Sequence, residues 1–370
     1  MQEFIDAGTL KRMFLNGVES LEAKKAWINE LNVFPVPDGD TGTNMSLTLM
    51  SAVRELQSAD DNAPMDRICS SISMGTLRGA RGNSGVIMSQ LCRGFTKIAS
   101  QETRLDKKII ADAMAHAVTT AYKAVMKPKE GTILTVSKAA AGKAAELAGS
   151  DITMEEYFRQ IIKYAEYILG KTPSMLPVLA EAGVVDSGGQ GLVEFLKGVL
   201  SGYLGKTADI SISSDTPVSS GARIDSSNIS TADIKYGYCT EFIIMADRDF
   251  TENDEDDLKA FLSSIGDSLV VVAMDNIVKV HVHTNHPGEA FEKGLTYGQL
   301  TSMKVDNMRQ EHHEKVIMES DRQIAAEKEA KTSSGHAGKK KDAGFVAVCA
   351  GEGLIDIYCE LKTDEIIQGG

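Results

Sequence analysis

Val36-Pro37-Asp38-Gly39-Asp40-Thr41-Gly42-Thr43-Asn44-Met45 sets two carboxylates two residues apart around a glycine, between a proline-stiffened approach and an apolar helix. Pro35 and Pro37 fix φ and remove two backbone donors, which makes the approach extended. Gly39 and Gly42 permit the tight path that turns Asp38 and Asp40 toward one point. Thr43 and Asn44 are good N-cap residues, and the stretch from Ser46 to Met50 continues as helix. Such a start offers free N–H groups and a positive dipole end beside two negative side chains. A hard cation on the aspartates with phosphate on the amides uses every part of this arrangement. The plainer alternative is a loop whose aspartates only cap and turn. An EF-hand fits poorly, because Thr43 stands where that loop needs glycine and Leu49 where it needs glutamate.

Around this stretch, residues 4–205 read as successive helices with short connections. Apolar residues recur at helical spacing over 4–15 and 20–31, and further helices are expected over 44–57, 64–77, 84–100, 107–126, 132–149, 154–169 and 188–203. Eight or nine helices without a convincing strand predict an all-α domain. The punctuation between them is unusual. Arg78-Gly79-Ala80-Arg81-Gly82-Asn83-Ser84-Gly85 has neither the Walker, nor the dinucleotide, nor the nucleophile-elbow spacing. It is still a glycine-rich turn into a helix, where amides and the Ser84 hydroxyl can cradle phosphate; close packing of a helix end explains it equally well. Lys129-Glu130-Gly131-Thr132 and Val185-Asp186-Ser187-Gly188-Gly189-Gln190-Gly191 open two more helices with Gly beside Thr, Asp or Ser. If these four helix entries converge, they form a polyphosphate-and-metal pocket at one end of a helical barrel.

Three of these motifs, Pro37 to Met45, Gly79 to Gly85 and Asp186 to Gly191, resemble in sequence and order the DhaL-type nucleotide-binding domain of dihydroxyacetone kinases. They are more similar still to its relative in the bacterial fatty acid kinase (FakA) family. The resemblance covers roughly residues 1–205. It implies an eight-helix barrel that binds ATP or ADP through two Mg²⁺ ions bridging phosphates and carboxylates. It makes Asp38 and Asp40 metal ligands and, with Thr43, the catalytic set. Thr43, Asn44 and Ser84 would contact phosphates or metal, with the Gly82-Asn83-Ser84-Gly85 turn closing over them. Thr132 and Asp186 fall near the nucleotide and its base. The sugar kinases carry a third aspartate a few residues before the Asp-Gly-Asp. The nearest candidate here is Asn32, whose neutral oxygen can still ligate Mg²⁺ with one formal charge fewer.

The stretch 206–232 is rich in Ser, Asp and Thr and reads as a linker. Residues 233–318 then read as a small α/β domain, with strands over 238–245, 268–273 and 277–283 and helices over 254–265 and 287–297. His281-Val282-His283 puts two imidazoles on one face of a strand, and Cys239 on another strand completes a zinc-compatible set. Two strand histidines are more often plain polar surface. The FakA family, however, presents the same Cys and His-x-His, so the resemblance implies a Zn²⁺ site with Glu241, His286 or water in a fourth position. His312 and His313 read as solvated linker or helix, and 319–342, with its basic run, as a tether. Residues 343–370 read as the start of a third α/β domain, truncated by comparison with the FakA family.

Composition narrows the rest. The net charge of −13 disfavours bulk attraction to nucleic acid, and no basic stripe with interleaved aromatics is present. An acidic start unlike a signal peptide, no apolar run of membrane-spanning length and five scattered cysteines without a CxxC pair make a soluble cytoplasmic protein the default expectation. The resemblance implies an ATP-dependent kinase subunit. Its substrate would be the carboxylate of a fatty acid presented by a DegV-like fatty-acid-binding protein (FakB), and its product an acyl phosphate. A dihydroxyacetone or small-ketone kinase and a non-catalytic nucleotide-binding regulator are the alternatives, and a homodimer is left open.

Overall fold

A computed structural model describes residues 3–58, 60, 63–208, 235–310 and 344–349, together with 357, 358, 361, 363 and 365–368. Most of the expected linkers at 206–232 and 319–342, the histidines His312 and His313, and the turn after Cys349 lie outside the described residues. The described residues form two compact units, Met1–Lys315 and Val316–Gly370.

Eight long helices build the first part of the larger unit: α1 (Ala7–Glu22), α3 (Thr41–Gln57), α4 (Met65–Gly79), α5 (Gly82–Ala99), α6 (Lys107–Ala124), α7 (Ile133–Leu147), α8 (Met154–Leu169) and α11 (Ser187–Tyr203). Short helices α2 (Lys25–Glu30), α9 (Thr172–Met175) and α10 (Pro177–Ala182) fill the connections. The long helices pack each on the next in chain order, and α11 returns against α1. Each contributes one apolar stripe to a shared core that includes Phe14, Leu21, Met45, Leu49, Met88, Tyr157 and Phe158. Within it lies an apolar cavity of about 150 Å³, lined among others by Met13, Phe14, Met88, Met114, Phe158 and Phe195.

The helix starts differ from expectation in instructive ways. The first helix runs on to Glu22, so the predicted second one shrinks to Lys25–Glu30. Helix α3 begins at Thr41 with Asp40 in the N-cap position, so Thr43 and Asn44 lie inside its first turn instead of capping it. Thr132 does occupy the N-cap position of α7, yet its hydroxyl donates back to the Lys129 carbonyl at 2.8 Å and caps nothing. By contrast, α1, α6 and α8 are capped by the side chains of Asp6, Asp106 and Thr153.

The second part is an antiparallel sheet in the order β2-β3-β1-β4, built from β1 (Tyr238–Ala246), β2 (Gly266–Met274), β3 (Ile277–Thr284) and β4 (Gly298–Asn307). Helices α12 (Glu252–Ile265) and α13 (Pro287–Leu295) cover one face, where Phe242, Ile244, Val278, Val280 and Val282 meet Leu258 and Leu262. Edge strand β4 is absent from the sequence expectation, because Gly-Gln-Leu-Thr-Ser-Met-Lys-Val-Asp-Asn is mostly exposed and carries no alternation. The opposite face of the sheet rests on the helical part. Val270 and Val272 pack with Leu77, Ala80, Val86 and Ala124, and an isolated β-bridge joins Val125 to Val270. Strand β3 is therefore buried on both sides, which accounts for its continuous burial from Val278 to Thr284. In the smaller unit, β5 (Val346–Cys349) pairs in parallel with β6 (Glu365–Gln368), as an α/β segment would.

The closest backbone approach in the helical part is α11 on α1. A Cβ on Gly198 would fall 2.2 Å from the Asn16 carbonyl oxygen, a backbone atom that cannot swing aside. Gly198→Ala is expected to destabilise the protein by about 1–3 kcal/mol through overpacking. Gly142, within α7 with nothing near its missing Cβ, gives the opposite expectation: Gly142→Ala should stabilise by about 0.5–1 kcal/mol. Urea denaturation of both variants checks the signs, and equal signs would contradict this packing.

Candidate functional site

Four helices begin at one place. The Asp38–Asp40 loop precedes α3, and Gly39 between the aspartates has φ of +69°, a conformation that glycine adopts without cost. The Phe34–Pro35 peptide that leads into it is cis. Both aspartates are half-buried and both are held. Asn32 Nδ2 donates to Asp38 Oδ1 at 2.5 Å, and Asn44 Nδ2 donates to Asp40 Oδ2 at 2.5 Å. Asn32 thus faces Asp38 with its amide nitrogen; to offer a cation its oxygen, the amide would have to turn over. Thr43 is engaged twice by Asn29 of α2, whose Oδ1 accepts from its amide at 3.0 Å and whose Nδ2 donates to its hydroxyl at 2.9 Å.

The turn into α5 stands directly against this loop. Gly82 has φ of +56°, and a Cβ there would fall 2.3 Å from Asn44 Nδ2. Its N–H donates at 2.5 Å to Glu241 Oε1, a residue of the sheet. The next two amides, Asn83 and Ser84, open the helix without an intrahelical acceptor, while Gly85 already bonds back to Arg81. On the other side, Ser187 at the start of α11 donates to the Thr41 hydroxyl at 3.1 Å. Asp186, its N-cap, accepts from the Gly189 amide at 2.7 Å and is also hydrogen-bonded by the Ile133 amide at the start of α7. One buried carboxylate therefore ties two helix starts together. The starts of α5, α7 and α11 line a cavity of about 390 Å³ whose walls include Asn83, Ser84, Thr132, Asp186, Ser187 and, from the sheet side, Asp267 and Ser268; Asp38, Asp40 and the first turn of α3 are not among its lining residues. Volumes of roughly 300–1,000 Å³ are usual for small-molecule sites.

The second cluster lies on the sheet face turned to the helices. The register pairs Cys239 with His283 and Glu241 with His281, so the alternation of β1 and β3 brings Cys239, Glu241, Lys279, His281 and His283 to one face. One donor atom each from Cys239, His281 and His283 lies within 4.8 Å of the others. His281 Nδ1 is 2.8 Å from Glu241 Oε1, and His281 Nε2 is buried with no hydrogen-bond partner. Burial, with the neighbouring His281, brings His283 down to about 3, so it is a neutral lone-pair donor. Burial and then the negative charges of Glu241, Asp306, Asp40 and Asp38 push the Cys239 thiol well up, which also records how near this cluster stands to the aspartate loop. Burial alone would raise Glu241, but the hydrogen bond and charge of His281, the charge of Lys279 and the Gly82 amide outweigh it and bring the carboxyl to about 2. The soft thiolate and two imidazoles, one with an orphaned buried nitrogen, fit a zinc ion. His286 lies outside this set; it is exposed and pairs with Glu289 at 3.5 Å. Glu241 is committed to Gly82, His281 and, at 3.4 Å, Lys279.

Sequence reasoning missed three participants: Asn29, Lys279 and the contact of Glu241 with Gly82. No spacing rule joins residues 159 positions apart. The alternation of β3 did put Lys279 on the same face as both histidines, and that signal was available.

Asp186 generates a pH expectation. Burial, against the opposing hydrogen bonds of the Gly189 and Ile133 amides, pushes its carboxyl up from 3.8 to about 7. A raised folded-state value means that the stability it contributes is full below 3.8 and is lost as pH rises through 7. The stability of the nucleotide-free protein relative to Asp186→Asn should therefore fall across that window. Urea denaturation at a series of pH values measures it, and a flat difference would contradict the assignment.

Comparison with known proteins agrees with this two-part organisation. Residues 35–201 match the DAK2 domain family, and residues 235–315 match the FakA-like middle domain family of fatty acid kinases. Protein YloV of Bacillus subtilis is 40% identical over 370 residues, which cover 99% of this chain and 65% of YloV. An uncharacterized protein of Staphylococcus haemolyticus is 40% identical over 363 residues, covering 97% of this chain and 64% of its own length. The chain thus spans just under two thirds of the length of these curated relatives. Among solved structures, the dihydroxyacetone kinase from C. freundii in complex with AMP-PNP and Mg²⁺ aligns with a TM-score of 0.41 at 16% identity, covering 52% of this chain and 33% of that one. The chain thus carries a DAK2 domain followed by a FakA-like middle domain, and aligns over nearly its whole length with Protein YloV.

Proposed function

We propose that this chain is the ATP-dependent kinase subunit of a fatty acid kinase, phosphorylating the carboxylate of a fatty acid that a DegV-like binding protein (FakB) presents to it. The closed order of the eight long helices is read as a DhaL-type barrel spanning 1–205, with the middle domain at 233–318 and the beginning of a C-terminal α/β domain from 343. The observation that carries the reading is the meeting of four helix starts beside Asp38 and Asp40, three of which, those of α5, α7 and α11, line a cavity walled by the middle domain. Of the four, α3, α5 and α7 lack a side-chain cap from their own N-cap residues, while α11 is capped by Asp186; elsewhere α1, α6 and α8 are capped and α4 is not. The amides of Asn83 and Ser84 and the two nearby carboxylates together suit a metal–polyphosphate ligand.

In this reading Asp38 and Asp40 hold Mg²⁺, with Asn32 and Asn44 fixing the two carboxylates. When bound, Mg²⁺ neutralises charge on the phosphates of the nucleotide. The amides of Asn83 and Ser84 and the Ser84 hydroxyl receive phosphate oxygens, and Thr132, Asp186 and Ser187 border the space for the nucleoside. Thr43 acts from the first turn of α3, oriented by Asn29. Phosphoryl transfer depends chiefly on such positioning and charge stabilisation. A fatty acid carboxylate is ionised at neutral pH and needs no strong base. An apolar cavity near 150 Å³ holds a molecule the size of benzene, so the cavity within the helices is too small for a long acyl chain, in accord with delivery by a partner. Cys239, His281 and His283 would hold Zn²⁺ at the face turned to the aspartate loop.

The deciding experiment measures ATP consumption by the protein with a DegV-like partner and fatty acid, against dihydroxyacetone as acceptor. Turnover with the first pair alone is expected; tight Mg-ATP binding without turnover on either acceptor would sink the kinase reading. Asp38→Ala and Asp40→Ala should each abolish Mg²⁺-dependent nucleotide binding while circular dichroism keeps its helical signal. Unchanged binding in both would remove the site. Elemental analysis should find about one zinc per chain, lost on Cys239→Ala or His283→Ala, and a zinc-free native protein would overturn the second site.

A further inference from the structure

Glu241 stands where the two sites touch. It is the fourth residue of β1, 3% exposed, on the face it shares with Cys239, Lys279, His281 and His283. A single oxygen, Oε1, accepts from both the Gly82 amide at 2.5 Å and His281 Nδ1 at 2.8 Å. Oε2 lies 3.4 Å from Lys279 Nζ, itself 3% exposed. The Glu241 carboxylate at 2.8 Å and the Cys239 sulfur at 3.8 Å both face Nδ1 of His281; with Nδ1 donating to the carboxylate, Nε2 is the lone-pair nitrogen. That atom is buried without a hydrogen-bond partner, an arrangement that costs free energy unless something else meets it. On its other side the same oxygen holds the first amide of α5, at a turn so close to Asn44, the donor to Asp40, that a Cβ on Gly82 would not fit.

We propose that Glu241 is a positioning residue that couples the two sites. By presenting Nε2 of His281 to a metal and bracing the Gly82 turn for phosphate, it links metal occupancy of the Cys239–His281–His283 set to nucleotide affinity. This coupling rests on the metal and nucleotide readings proposed above. With its imidazole held in a metal-bound set, His281 would hold the Glu241 carboxylate, and the carboxylate would hold the turn from which the Asn83 and Ser84 amides project. Ordering that turn in advance lowers the cost of binding phosphate there. By linkage, nucleotide must tighten metal binding by the same factor.

The test measures Mg-ADP affinity by calorimetry in zinc-loaded and chelator-stripped protein, and zinc affinity by competition with a chromophoric chelator, with and without Mg-ADP. In the wild type, zinc should tighten Mg-ADP by about 5-fold or more, within the usual range of coupling between sites. Glu241→Gln should weaken zinc by about 10–100-fold, as loss of a carboxylate behind a ligating histidine does, and bring the coupling factor close to one. It should also shift the visible spectrum of the Co²⁺-substituted protein. Thr240→Val, on the same strand but pointing to the other face, should keep both the affinity and the coupling. Because the Gln variant places an amide beside a buried lysine and can fail to fold, a second readout uses the wild type alone: hydrogen exchange at the Gly82 amide should slow when zinc is added without nucleotide. Wild-type coupling that survives in Glu241→Gln, or a Gly82 amide indifferent to zinc, would overturn the bridge and leave both sites standing. Wild-type protein that takes up no zinc, or binds no Mg-ADP, would overturn the parent reading and the bridge with it.

Discussion

Backbone N–H groups at a helix start must find acceptors, and in this protein four helices start together. That requirement organises the site. Asp186 serves α7 and α11 at once, Asn29 serves α3, and Glu241 reaches from the sheet to serve α5. Asp186 is the N-cap of α11 itself, whereas Asn29 and Glu241 reach in from other elements. Three helices that begin away from the cavity are closed by their own Asp6, Asp106 and Thr153. Asn83 and Ser84, whose amides have no intrahelical acceptor, border the cavity.

The sheet answers to a second constraint. A strand buried on both faces has to give each face a different chemistry, and β3 does so by strict alternation. Val278, Val280 and Val282 join the apolar core under α12 and α13. Lys279, His281 and His283 turn to the helical part, away from that core. Cys239 and Glu241 arrive opposite them through the register, and Val270 and Val272 seal the same face with Leu77, Val86 and Ala124. An apolar seal beside a buried polar cluster keeps water from the cluster. It also strengthens each of its electrostatic interactions.

Much of this was legible from local pattern. The long helices follow from apolar spacing, and the tight path between Asp38 and Asp40 follows from a glycine that sits at φ of +69°. The common face of His281 and His283 follows from a period of two. Where reading failed, a neighbour distant in sequence had intervened. Thr43 looks like a cap by residue type, but Asp40 takes the position and Asn29 takes the threonine. Strand β4 has no pattern of its own because it is an exposed edge that β1 recruits by backbone hydrogen bonds, which carry no side-chain signature.

The chain by itself determined which residues are candidates for chemistry, since aspartates around glycine, glycine-rich helix entries and a His-x-His strand are local facts of type and spacing. It also determined the helical class of the first part and the α/β class of the second, because periodicity is local too. Only the tertiary structure decided that the two chemistries meet. The hydrogen bonds of Glu241 to Gly82 and to His281 span 159 and 40 residues, and contacts of that separation depend on how α5 and the sheet pack rather than on any neighbouring residue.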